Sequence, residues 1–149
     1  MTFKILALTG MIVFLANSCT EDQGPGTDIV KTTIENNMGS GTWIISSFID
    51  SGNDETAHFS DFEFTFDPEG DLIATGSAVT YTGTWSIKDN NSNDDSPDDL
   101  DFNIYFSLTN EFEDLNDDWD IVSQGELKIE LVDISGGNGG TDSLTFVRK

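Results

Sequence analysis

Apolar and polar residues alternate along most of this 149-residue chain, and the period of the alternation changes once. From Asp28 to Met38, Ile29, Val30, Thr33 and Ile34 recur at helical spacing, with Asp28 suited to cap a short helix and Gly39 to stop it. Beyond Gly39 nearly everything has period two. Trp43, Ile45 and Ile49 share one face of a first run, blurred by Ile44 and Phe48, and Phe62, Phe64 and Phe66 share one face of a second. The turn Asp67-Pro68-Glu69-Gly70 leads into Leu72 and Ala74. Tyr81, Trp85 and Ile87 then oppose Thr80, Thr82, Thr84 and Ser86, with Gly83 on the apolar side. Leu100, Phe102, Ile104, Phe106 and Leu108 alternate with Asp101, Asn103, Tyr105 and Ser107, the pattern of a half-buried antiparallel strand. Trp119 and Ile121, then Leu127, Ile129 and Leu131, then Leu144 and Phe146 complete eight runs, each with one apolar face.

The links between the runs are rich in Gly, Asn and Asp, notably Asp89 to Asp99 and Gly136 to Gly140, and none is long enough for the crossover helix that parallel pairing requires. The spacing therefore predicts an all-β domain over residues 28–149: eight antiparallel strands closed into an up-and-down barrel behind a short N-terminal helix. A β-sandwich is the alternative, because strand count and alternation do not fix topology. Closure removes the exposed edges, and a barrel of eight strands is filled by side chains or holds one small ligand.

Composition narrows the function classes. Six basic residues stand against 28 acidic ones, for a formal charge of -22. Such a surface repels phosphate, so nucleic acid is excluded as a partner. Aromatic residues make up 11% of the chain, which argues for a packed core and against an acidic disordered tail. Cys19 is the one cysteine and His58 the one histidine, so disulfides and Cys/His zinc chemistry have no residues to use, and no cofactor is expected.

Cys19 follows Lys4, an apolar stretch from Ile5 to Ala16, and the small residues Ala16-Asn17-Ser18 that a signal peptidase requires. The stretch is too short to span a bilayer, which takes about 20 apolar residues. The arrangement resembles a bacterial lipoprotein signal. It implies residues 1–18 as signal peptide, Cys19 as the acylated new N-terminus, and 19–27 as a flexible tether containing Gly24-Pro25-Gly26. The acidic Glu21-Asp22 just behind the cysteine resembles the export signal of Bacteroidota lipoproteins, so the expected location is the outer membrane, facing the periplasm or the cell surface.

Gly41-Thr42-Trp43, a Gly-x-Trp opening the first strand just after a helix, resembles the lipocalin signature. That resemblance implies that Trp43 plugs one barrel end and that Arg148, near the end of the last strand, packs across its ring. The order of Phe62-Glu63-Phe64-Thr65-Phe66, Gly83-Thr84-Trp85-Ser86, Trp119-Asp120-Ile121 and Leu144-Thr145-Phe146 is similar to the lipocalin-like lipoproteins of the Bacteroidota. The Thr-Asp-Tyr motif of true lipocalins is missing, and retinoid or pheromone binding is not carried over.

Candidate chemistry is sparse. His58 reads as a surface or rim residue, and no nucleophile, phosphate loop or metal constellation appears, so no enzyme is expected. Asp89, Asn91, Asn93 and Asp95 place oxygen ligands at alternate positions, as calcium loops do, but the glycine and glutamate of an EF-hand are replaced by Asp94 and Leu100. Two functions of different class follow. In the first, a membrane-anchored, non-catalytic module holds a small apolar ligand among Trp43, Phe64, Tyr81, Trp85, Phe102, Ile104 and Phe106. In the second, a filled barrel contacts another envelope protein or a glycan through its acidic loops. An empty cavity favours the first and a packed core the second.

Overall fold

The structure, a computed structural model, describes residues 26–89, 100–134 and 140–149. It opens with helix α1 (Thr27–Met38), followed by β1 (Trp43–Asp50) and a two-residue return, β2 (Asn53–Asp54). Then come β3 (Glu63–Phe66), β4 (Asp71–Thr75), β5 (Thr80–Asp89), β6 (Leu100–Tyr105), β7 (Asp117–Gln124), β8 (Lys128–Ile134) and β9 (Thr141–Arg148). From β3 to β9 each strand pairs antiparallel with the next, and β1 joins β3 on one side and β9 on the other. Eight strands therefore close into the expected up-and-down barrel, and the sandwich is ruled out. The β2 hairpin extends β1 beyond the barrel through Ile49↔Asp54 and Asp50↔Asn53.

The seams are unequal. The β1 and β9 strands pair from Trp43↔Arg148 to Ile49↔Ser143, whereas β1 and β3 share the single pair Trp43↔Phe64. Along that gap the 3₁₀ turn Thr56–Phe59 substitutes for a strand. The Thr56 hydroxyl accepts the Phe48 N–H at 2.8 Å, and the Glu55 N–H donates to the Phe48 carbonyl at 3.0 Å. Backbone groups that pairing leaves free are met by neighbouring polar groups instead.

The register also corrects three details of the sequence reading. A bulge between Ile45 and Ser47 shifts the pleat by one residue, so Phe48 is buried and Ile49, expected inside, lies on the outer side. The helix begins at Thr27 and its cap is Gly26, so Asp28, expected as the cap, sits in its first turn. Its buried face is Thr27, Ile34 and Met38 with Val30 packed beside them, and Ile29 is exposed. Leu127, expected in a strand, lies exposed at the β7–β8 turn because the period-two set of β8 starts at Ile129.

The chain direction of each strand assigns every loop to one of two ends. Helix α1, the β3–β4 turn, the start of β8 and the end of β9 lie at the helix end. The β2 hairpin, the Thr56–Phe59 turn, the β4–β5 turn and residues 106–116 lie at the far end.

Candidate functional site

The barrel interior is the first place a ligand could sit. Six of the seven residues expected to line a cavity are buried: Trp43, Phe64, Trp85, Phe102, Ile104 and Phe106; Tyr81 is half-buried. Trp85 and Phe102 lie 5.7 Å apart in a tilted pair, and most of the contacts to further rings are edge-to-face. Phe66 stands between Trp85 at 5.3 Å, Phe102 at 5.7 Å and Phe146 at 5.3 Å between ring centroids, and Phe146 meets Phe64 at 5.3 Å. Each such pair adds about 0.5–1.5 kcal/mol beyond burial. Towards the far end Phe112, on the segment after β6, touches Phe59, Phe62, Phe64, Tyr81 and Phe106 at 4.9–6.2 Å. Alternation identified the strand residues of this core but missed Phe48, Phe59 and Phe112, because a bulge and two irregular segments carry them.

Glycine completes the packing at one point. Gly83 faces inward on β5, and a Cβ there would lie 2.5 Å from the Tyr105 carbonyl and 2.7 Å from the Phe106 ring. Phe106 is held in place, since the Asn116 side chain accepts its N–H at 2.5 Å and donates to its carbonyl at 2.9 Å. The amide side chain thus replaces the strand partner that the segment after β6 lacks.

At the helix end the structure brings Trp43 and Arg148 together. The guanidinium carbon lies 5.2 Å from the ring centroid, within cation-π range. The same guanidinium donates to the Asn37 carbonyl at 2.6 Å, and the Trp43 indole N–H donates to the Met38 carbonyl at 2.9 Å. Both side chains therefore fasten the last turn of α1 over the barrel mouth, satisfying carbonyls that a helix end leaves without partners. Gly41, at φ +92, leaves the turn before β1 clear of the Arg148 stem, from which a Cβ would stand 3.7 Å.

The two ends differ in charge. Lys31, Lys88, Lys128, Arg148 and Lys149, the basic residues of the described region, all lie towards the helix end. At the far end Asp50, Glu55, Glu111, Glu113 and Asp114 converge. Burial pushes the Asp114 carboxyl above its ordinary value, and repulsion from Asp50, Glu113, Glu55 and Glu111 adds to the shift. Burial likewise raises Asp117, opposed by a hydrogen bond from the Asp118 backbone and reinforced by the charge of Asp133. His58 is on this rim, its Nδ1 3.2 Å from Glu55, and about half of its side chain is exposed.

Cys19, Asn91, Asn93 and Asp95 lie outside the described residues, and Asp89 closes β5. Among the described residues no group of three or more His, Cys, Asp or Glu side chains is arranged to hold a metal ion, and no helix is long and apolar enough to cross a membrane.

No family model matches the chain, and no curated protein matches it. Among solved structures it is similar to a DUF4847 family protein from Bacteroides vulgatus ATCC 8482, at 17% identity and a TM-score of 0.48, over 78% of this chain and 97% of that one.

Proposed function

We propose that this protein is a non-catalytic interaction module of the bacterial envelope, anchored through acylated Cys19, whose barrel is filled and whose acidic far end meets the basic surface of another envelope protein. One observation carries the choice between carrier and interaction module: the side chains that would line a ligand cavity pack against one another at ring-contact distances. Residues so engaged act as core, and recognition moves to the surface.

Charge gives the surface its direction. A tether joined to α1 enters at the helix end, so that end lies nearest the anchor, and the acyl group, not the domain's charge, holds the membrane. The far end then points away from the membrane, and its converged carboxylates attract a cationic partner and speed encounter.

Native mass spectrometry of the protein purified from its own envelope tests the reading. The expected species carries the acyl mass on Cys19 and retains no apolar small molecule. A stoichiometric apolar ligand overturns the filled barrel, and an unmodified Cys19 overturns the anchor.

A further inference from the structure

A groove of 520 Å³ lies outside the barrel at the helix end. Its walls are the last turn of α1, with Glu35 and Asn36, the Ser40 that follows the helix, and the β3–β4 turn, with Pro68 and Glu69; Trp85 and Ser86 of β5 form its floor. The volume falls in the range of small-molecule sites. Gly39 lets the two walls approach, since a Cβ there would sit 3.6 Å from the Pro68 ring and 3.1 Å from the Glu35 carbonyl.

The lining has one electrostatic sign. It includes two carboxylates and no Lys, Arg or His, although the basic residues gather at this end. Neither Glu35 nor Glu69 takes part in an ion pair among the described residues. The last turn of α1 has no basic residue of its own, and the Arg148 guanidinium that meets its Asn37 carbonyl is not part of the groove lining. The lining is also rich in acceptors. The Ser40 hydroxyl donates to the Asn36 carbonyl, which leaves the Ser40 oxygen to accept.

We propose that this groove binds a small organic amine, its ammonium group held by Glu35 and Glu69 and its carbon frame resting on Pro68 beside the buried edge of Trp85. The site lies at the opposite end from the acidic rim and does not depend on the reading of that rim.

The test uses phenethylammonium, with the neutral 2-phenylethanol as control, and follows the indole N–H resonances while calorimetry gives the affinity. Trp85 donates its indole N–H to the Asp67 carbonyl at the groove, whereas Trp119 donates to Leu115 at the far end. Salt at about 0.15 M, where the Debye length is about 8 Å, screens general attraction to an acidic protein. Binding should shift the Trp85 resonance and leave Trp119 in place, and the alcohol should not bind. E35Q/E69Q should weaken the amine by about tenfold or more, as expected for lost charge-assisted hydrogen bonds. E126Q removes an exposed charge of the β7–β8 turn outside the groove lining and should leave the affinity for the amine unchanged, and E69K, at an exposed turn position, should abolish binding. Equal affinity in E35Q/E69Q and the native protein, equal shifts at Trp119, or binding of the alcohol overturns the proposal. The three indole resonances report in each variant that the fold is intact.

Discussion

Gly83→Ala adds one methyl group to the barrel interior and so asks whether that interior is full. In a strand, alanine is ordinarily the better residue by about 0.5–1 kcal/mol, so a hollow barrel would gain stability. Here the added Cβ lies 2.5 Å from the Tyr105 carbonyl oxygen and 2.7 Å and 2.9 Å from two carbons of the Phe106 ring. Contacts that short force a neighbour to move, and neither neighbour is free. Tyr105 is paired to Thr84 across the β5–β6 seam, and both backbone groups of Phe106 are held by Asn116. The Phe106 ring also bears on Phe112 at 4.9 Å, so its displacement passes into the far-end cluster. Overpacking of this kind costs about 1–3 kcal/mol. Net of the strand preference, G83A should lose about 1–2 kcal/mol and lower the thermal midpoint by roughly 5–10 °C. Urea unfolding followed by tryptophan fluorescence measures it, with an unchanged slope showing that the two-state comparison holds. A midpoint equal to or above that of the native protein would mean that Phe106 has space to retreat, and the filled-barrel argument would fail with it.

Other perturbations address the closures and the charges. Arg148→Ala removes the cation from Trp43 and the donor to Asn37, and should cost about 1–3 kcal/mol in the same urea assay; a loss under about 0.5 kcal/mol would show that the pair does not hold the helix. Thr56→Val keeps the shape of the turn but leaves the Phe48 N–H without its acceptor, so hydrogen exchange at Phe48 should accelerate while Leu144, across the β9 seam, keeps its protection. The pH dependence follows from the direction of each shift. Asp114 and Asp117 have raised folded values, so the folded state holds more protons than the unfolded one, and stability rises as pH falls from neutrality towards 3.8. Asp54 and Asp61 are held below that value by hydrogen bonds from Thr56 and Ser77, a contribution present above it and lost as pH falls through their folded values. Unfolding free energy should therefore peak on the acid side of neutrality; a steady fall on acidification from neutrality contradicts the assignment.

The barrel was legible because antiparallel strands with one buried face write a period of two into the chain, and β5 and β6 keep it almost without interruption. The parts that were not legible are those where one residue changes the phase. The bulge after Ile45 exchanges Phe48 for Ile49, and no local residue announces it. Phe59 ends the 3₁₀ turn Thr56–Phe59 and Phe112 precedes another over Glu113–Leu115, where apolar residues have no strand period, although each is enclosed by the far-end cluster. Resemblance supplied the pairing of Trp43 with Arg148, 105 positions apart (148 - 43), which no periodicity could reach. Charge was legible only as a total. With acidic residues spread along the chain, the gathering of Asp50, Glu55, Glu111, Glu113 and Asp114 at one end depends on closure of the barrel, as does the groove between Glu35 and Glu69.

Closure at both ends also links the acidic rim to protons in a way that a partner must reveal. Burial, reinforced by repulsion from the other rim carboxylates, makes Asp114 hold its proton more tightly than an isolated carboxyl. A cationic partner placed against Asp50, Glu55 and Glu113 reverses that field and lowers the folded value, so binding must release protons. By linkage the affinity then falls as the pH falls, over the interval between the free and the bound values. The same partner binds the folded chain alone and raises its thermal midpoint with concentration. An oligolysine peptide serves as the probe, titrated by calorimetry in buffers of different ionisation enthalpy so that released protons are counted directly. The proton count should be positive on the acid side of neutrality and decrease in Asp114→Asn, which removes the rim carboxyl whose folded value is raised. Proton-neutral binding, or an affinity that strengthens on acidification, would place the contact elsewhere than the far end.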